Sequence, residues 1–195
     1  MQPALTTDRL RGLAAGALIL TGFGSFWVFV VLLVWAGRPP GLLLLAVLVA
    51  VGLALASVWR FLAAARAPNP DDAEAARKGR ASGVVFGVIF GVEGALIGVG
   101  AAVLSGLGLG LLIPFFTALV VGLHFLPLAR VFSVPLYSWT GGVMVLLAVG
   151  CALLPVDPSL RLRLLGLSVG ATLWLSAGAA LYKTRLPEGP PSKTG

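Results

Sequence analysis

The chain has 195 residues, of which 58% are hydrophobic and 11% charged, with a mean hydropathy of +1.02. A soluble domain of this length carries far more polar surface, so composition excludes an ordinary globular protein and points to helices that span a bilayer. The net charge of +7 is scattered over short segments. That suits attraction to anionic lipid and lacks the concentrated basic patch a nucleic-acid partner needs.

In chain order, Arg9 and Arg11 precede the first apolar run. The run is too long for a cleaved signal peptide, so residues 12–36 are predicted as span one, ending at Gly37-Arg38-Pro39-Pro40. Span two is predicted over 41–62. The polar stretch "RAPNPDDAEAARKGR" follows. Asn69 suits an N-cap and Pro70 the first helical position, with acids early and bases late, as the helix dipole favours. This predicts a short cytoplasmic surface helix over 69–80 that runs into span three, 82–104. The apolar stretch 83–129 holds 47 residues, about 70 Å as helix and twice a bilayer core, so it must fold back at "SGLGLG" (105–110) into span four, 111–130. Span five covers 135–154. "PVDPS" then turns the chain with Asp157 as N-cap, span six covers 163–182, and 186–195 reads as a flexible tail. The apolar segments do not alternate, which excludes a β-barrel. The expected fold class is all-α, an integral membrane six-helix bundle forming one domain over 1–195.

Basic residues orient it. Eleven lysines and arginines fall on the side of the N-terminus and three (Arg38, Arg161, Arg163) on the other. The positive-inside rule therefore places both termini in the cytoplasm. Trp59, Tyr137 and Tyr182 are expected at inner span ends and Trp35 at an outer one.

Most membrane chemistries fail on inventory. The single histidine and the single cysteine, Cys151, can build neither a zinc site, a bis-histidine haem site nor a disulfide within one chain. There is no H-E-x-x-H, no G-x-S-x-G, no pair of intramembrane aspartates, and no Lys-Ser or Lys-Thr after the glycine turn. Asp71 and Asp72 with "AAR" are similar to enzymes that transfer phosphoalcohols to lipids. Those need further aspartates, and the next thirty residues hold one acid, Glu93. No enzyme, cofactor or metal is expected.

What remains polar within the spans is sparse. Gly83, Gly87, Gly91, Gly94 and Gly98 share one face of span three, a small-residue pattern that lets helices approach closely. The partner of this face is left open between another span and a second copy, a homo-oligomer through span three. Ser168, Thr172 and Ser176 suggest a milder seam on span six. Glu93 lies roughly 100° from the glycines, beside Phe86, Phe90 and Ile97, near mid-membrane. An ionised acid there costs about 2–4 kcal/mol on lenient insertion scales, so it is a functional candidate or a hydrogen-bonded link between helices. In "GLHFLPLARVF", His124 lies about 9 Å from the inner end of span four and about 7 Å from the depth of Glu93. Pro127 cannot donate an N–H and frees the carbonyl at 123. Glu93, His124 and Arg130 are thus the candidate ion or solute site, with Pro127 as the helix kink and Arg130 at its cytoplasmic mouth.

His124, Phe125, Pro127 and Tyr137 also give the segment a likeness: it resembles the H-F-x-P segment of an uncharacterised family of small bacterial six-span membrane proteins. Leu128 departs from the aromatic often found after the proline. The resemblance implies a six-helix membrane protein and supplies no activity. Two functions compete. One is a small transporter or channel-like protein for an ion, a proton or a polar solute. The other is a membrane scaffold or accessory subunit acting through glycine-rich packing.

Overall fold

A computed structural model describes the backbone of residues 7–66 and 73–183, and the side chains of 10–66 and 83–183. The described chain is helical: α1 (Thr7–Val34), α2 (Pro40–Arg66), α3 (Ala73–Gly106), a 3-10 turn (Gly110–Leu112), α4 (Ile113–Val131), α5 (Pro135–Leu153) and α6 (Pro158–Lys183). Each of the six α-helices is long and apolar enough to cross a membrane. Residues 73–80, expected to form a surface helix, continue into α3 without a break. The proposed cap at Asn69 and Pro70 and the tail 186–195 lie outside the described residues.

The turns are legible in residue chemistry. α3 ends where Gly108 adopts φ +72°, with Gly108 N–H donating to Ser105 O and Leu109 N–H to Leu104 O. This is the paired hydrogen bonding of a Schellman cap. α4 ends the same way, with Ser133 N–H on Arg130 O and Val134 N–H on Ala129 O. Here the left-handed residue is Ser133, at φ +52°, where a side chain is strained. α6 begins five residues before the expected span. Asp157 caps it, its carboxylate accepting from the N–H of Ser159 at 2.8 Å and of Leu160 at 3.2 Å. These bonds, led by the Ser159 hydroxyl, hold the exposed Asp157 carboxyl below its ordinary range.

Around the bundle the helices neighbour one another in the order α2, α1, α6, α5, α4, α3. The main core lies where α1, α4, α5 and α6 meet, with Leu165, Val169, Leu173, Met144, Ala118 and Phe125 in it. Glycines let the inner helices approach. A Cβ on Gly141 would stand 2.5 Å from the carbonyl of Gly122, which joins α5 to α4. A Cβ on Gly170 would stand 2.8 Å from the carbonyl of Gly24, which joins α6 to α1. Gly166 meets Val31, Gly16 meets the Tyr137 hydroxyl, and Gly100 meets the Phe116 ring.

Tyr137 falls at the start of α5, at a span end as expected, and is buried in the core against Phe125, ring centroids 5.9 Å apart. There α5 turns it inward toward Gly16. The face formed by Gly83, Gly87, Gly91, Gly94 and Gly98, whose partner the sequence leaves open, has nothing among the described residues within 4 Å of where a Cβ would stand on any of them. α3 lies at the edge of the bundle and covers a different stripe: Phe86, Ile89, Glu93, Ile97 and Gly100. That stripe carries the large side chains that can fill space against α4, whereas the glycines offer no area to bury.

Candidate functional site

Polar bonds between helices are few, and each has a distinct place. Arg11 of α1 donates to the carbonyls of Ala64 and Ala65 at the end of α2, both at 3.1 Å. Thr140 of α5 meets Ser176 of α6, Oγ1 to Oγ 2.7 Å, deep in the core. Trp174 Nε1–H donates to Ser25 Oγ at 3.3 Å. Ser168 and Thr172, expected to line a seam with Ser176, instead bond back to carbonyls of their own helix, so only Ser176 crosses.

A further polar contact joins α3 to α4. Glu93 is the acid at the centre of α3's covered stripe and keeps 7% of its surface. His124 faces it from α4, with Nδ1 3.3 Å from Glu93 Oε1. The tight turn at Gly108 makes this possible, because it folds α4 directly back along α3. The imidazole also lies 2.6 Å from the Val121 carbonyl, one turn earlier in α4. Glu93 Oε2 is buried without a hydrogen-bond partner. A polar atom so placed is costly unless something fills its valence.

Aromatic rings wall the pair. Phe86 stacks on Phe90 at 6.0 Å and meets Phe132 edge-on at 6.3 Å, while Phe90 reaches Phe23 of α1 at 6.4 Å. Phe125 lies beside the imidazole at 4.5 Å. Pro127 stands inside α4, three residues on. It has no N–H, so the Leu123 carbonyl next to His124 loses its usual partner within the helix.

Arg130 does not join the pair. It is exposed in the last turn of α4 and, among the described residues, makes no ion pair with Glu93. Six residues of helix turn it about 120° away from His124, so it cannot share that face. Its carbonyl serves the α4 cap instead. Among the described residues, no three His, Cys, Asp or Glu side chains gather into a metal-binding group.

A second polar feature lies at the other end of α4. A cavity of about 20 Å³, room for one water, is lined by Leu111, Leu112, Phe115, Pro158, Arg161 and Leu162. Arg161 donates to the Ala152 carbonyl at 3.1 Å, and its Nε is buried without a partner. Sequence reading missed this place, as it missed the glycines at 24, 122, 141, 166 and 170. Gly166 and Gly170 did carry a signal, being four residues apart on one helix face.

Comparison with protein families, curated proteins and solved structures finds no match for the chain. Its class rests on the helices: among the described residues six long apolar helices define a multi-pass membrane protein.

Proposed function

We propose that this protein moves a small ion, most simply a proton, or a small polar solute across the cytoplasmic membrane of a bacterium, with Glu93 and His124 as the working pair. The observation that carries this reading is the buried acid with an unpartnered oxygen, held against the chain's only histidine between two apolar spans. An acid that only fastened helices would have both oxygens satisfied, because an orphaned one costs free energy and contributes nothing to packing. The charge bias of the sequence supports cytoplasmic termini. The likeness of His124, Phe125, Pro127 and Tyr137 to the H-F-x-P family belongs to the same proposal.

The test uses the purified chain in liposomes loaded with a pH-sensitive dye, under an imposed potential. Glu93→Gln keeps the shape and removes the charge. It is expected to fold, by size-exclusion profile and helical content, and to lose most of the wild-type flux, because an amide does not take up and release the proton that a carboxylate does. Wild-type flux in a folded Glu93→Gln overturns the reading.

A second reading has its own observation. The open glycine face of α3 favours a scaffold or subunit that receives a partner helix, including a second copy of the chain. Cysteine cross-linking at Gly87 in native membranes tests it. A specific cross-linked product supports the scaffold, and its absence leaves the face to lipid.

A further inference from the structure

Resting on the reading of Glu93 and His124 as the working pair, we infer that they form a single-proton site whose exchangeable proton enters and leaves at His124 Nε2 and Glu93 Oε2, while the hydrogen on Nδ1 stays fixed.

The inference begins at Val121. A backbone carbonyl has lone pairs and no hydrogen, so it can only accept. With Val121 O 2.6 Å from Nδ1, that nitrogen must carry a hydrogen in every protonation state. The same N–H is shared with Glu93 Oε1, the longer contact at 3.3 Å. The neutral ring is therefore the Nδ1–H tautomer, and its basic lone pair lies on Nε2. Among the described residues the ring's hydrogen bond is at Nδ1 and none is formed at Nε2, and the His124 side chain keeps 14% of its surface. On the acid, Oε1 is engaged by Nδ1–H, which leaves Oε2, buried and without a partner. Nδ1 and Oε1 thus face each other, while Nε2 and the buried Oε2 are the two atoms with valence left to take up a proton.

Charge then sets the number of protons. With one exchangeable proton the pair is neutral overall, either as carboxylate with imidazolium or as carboxylic acid with neutral imidazole. With none it leaves a net negative charge between apolar spans, and with two a net positive one. Both of those are penalised inside a membrane. Loading is a plain transfer: the N–H bond forms at Nε2, an O–H bond of hydronium breaks, and water leaves. A metal ion would be poorly served, because Nδ1 cannot ligate while it bears hydrogen, and no third ligating side chain is near among the described residues.

Few charged groups can interfere. Glu93 is the only ionisable residue of α3 between 83 and 106; Glu74, Arg77, Lys78 and Arg80 precede it, outside the described side chains. On α4 there is Arg130, exposed and turned away. On α1 there is Arg11, bonded to the end of α2. α5 offers Tyr137, packed on Phe125, and Cys151, buried in the core.

The single histidine makes the test direct. The full chain, labelled with nitrogen-15 in histidine and carbon-13 in glutamate, is placed in phosphatidylcholine vesicles and followed by solid-state NMR across pH. The neutral ring is expected to show hydrogen on Nδ1 and none on Nε2, with Nε2 gaining it on acidification. The Glu93 carboxyl signal, identified by its loss in Glu93→Gln, is expected to respond at the same pH, as coupled sites do. In Glu93→Gln the carboxyl response is gone, while the neutral ring is expected to keep its hydrogen on Nδ1, because the Val121 carbonyl is untouched. An Nε2–H neutral tautomer, or separate transitions for acid and ring, overturns the inference. Should Glu93→Gln fail to fold, the wild-type tautomer alone decides. The spectra do not depend on flux, so a correct tautomer in a chain that moves nothing condemns the transport reading and leaves the proton site standing.

Discussion

The inner seams and the outer face of α3 are both rich in glycine, yet only the inner glycines touch anything. Gly122 against Gly141, and Gly24 against Gly170, bring backbones together. The five glycines of the outer face of α3 meet nothing among the described residues, although their spacing is the more regular pattern in the sequence. Spacing shows that a helix can be approached closely. Whether it is approached depends on where the neighbouring large side chains direct it, and on α3 they direct Glu93 inward and the glycines outward.

Substitution can break this contrast most forcefully. Gly141→Leu places a side chain where the Gly122 carbonyl already stands, a clash with backbone that no rotamer relieves. Overpacking of this kind costs about 1–3 kcal/mol or more, and thermal unfolding in detergent is expected to show loss of the folded form. Gly87→Leu at the outer face is expected to leave the melting of the monomer unchanged or slightly raised. Equal damage from both variants would show that the two regions do not differ.

The two helix caps sharpen the contrast on a smaller scale. Gly108 and Ser133 hold equivalent left-handed positions, one without a side chain and one with it. Gly108→Ala is expected to lower stability and Ser133→Gly to raise it, each by about 0.5–1 kcal/mol in denaturation assays. The same sign for both would remove the equivalence.

The smallest effect lies outside the membrane, at Asp157. Its folded carboxyl titrates below its ordinary range, so its contribution to stability is present above the unfolded value and is lost as pH falls through the folded one. Asp157→Asn keeps a cap and removes the charge. Melting followed from neutral pH down to about pH 3 is expected to show a slightly shallower acid decline for the variant than for the wild type. Identical declines would mean that the cap adds nothing that depends on charge.

Much of the architecture was legible because apolar length speaks directly of a bilayer. The six runs, their breakers and the Asp157 cap needed no partner information. The Glu93–His124 pair was legible for a related reason, since the 105–110 turn forces α3 and α4 into contact and helical rise then matches their depths. Depth alone places Arg130 at the mouth of the site, and the rotation that six residues bring turns it about 120° from His124. Tyr137 and Thr140 were hidden because which side of α5 faces inward depends on α1 and α6, more than a hundred and about thirty-five residues away in sequence. A local pattern of apolar residues does not encode that choice, since every side of such a helix is greasy.

Arg11 has one further consequence, for the order in which the chain assembles. By binding the last carbonyls of α2, it can latch the first two helices into a hairpin as soon as position 65 has been made. The other face of α1, with Gly24 and Val28, must wait for α6, which is made after the other five described helices. During synthesis that groove stands open to lipid, and α6 closes it like a keystone. A chain cut short before α6 would keep its hairpin and lack the closure.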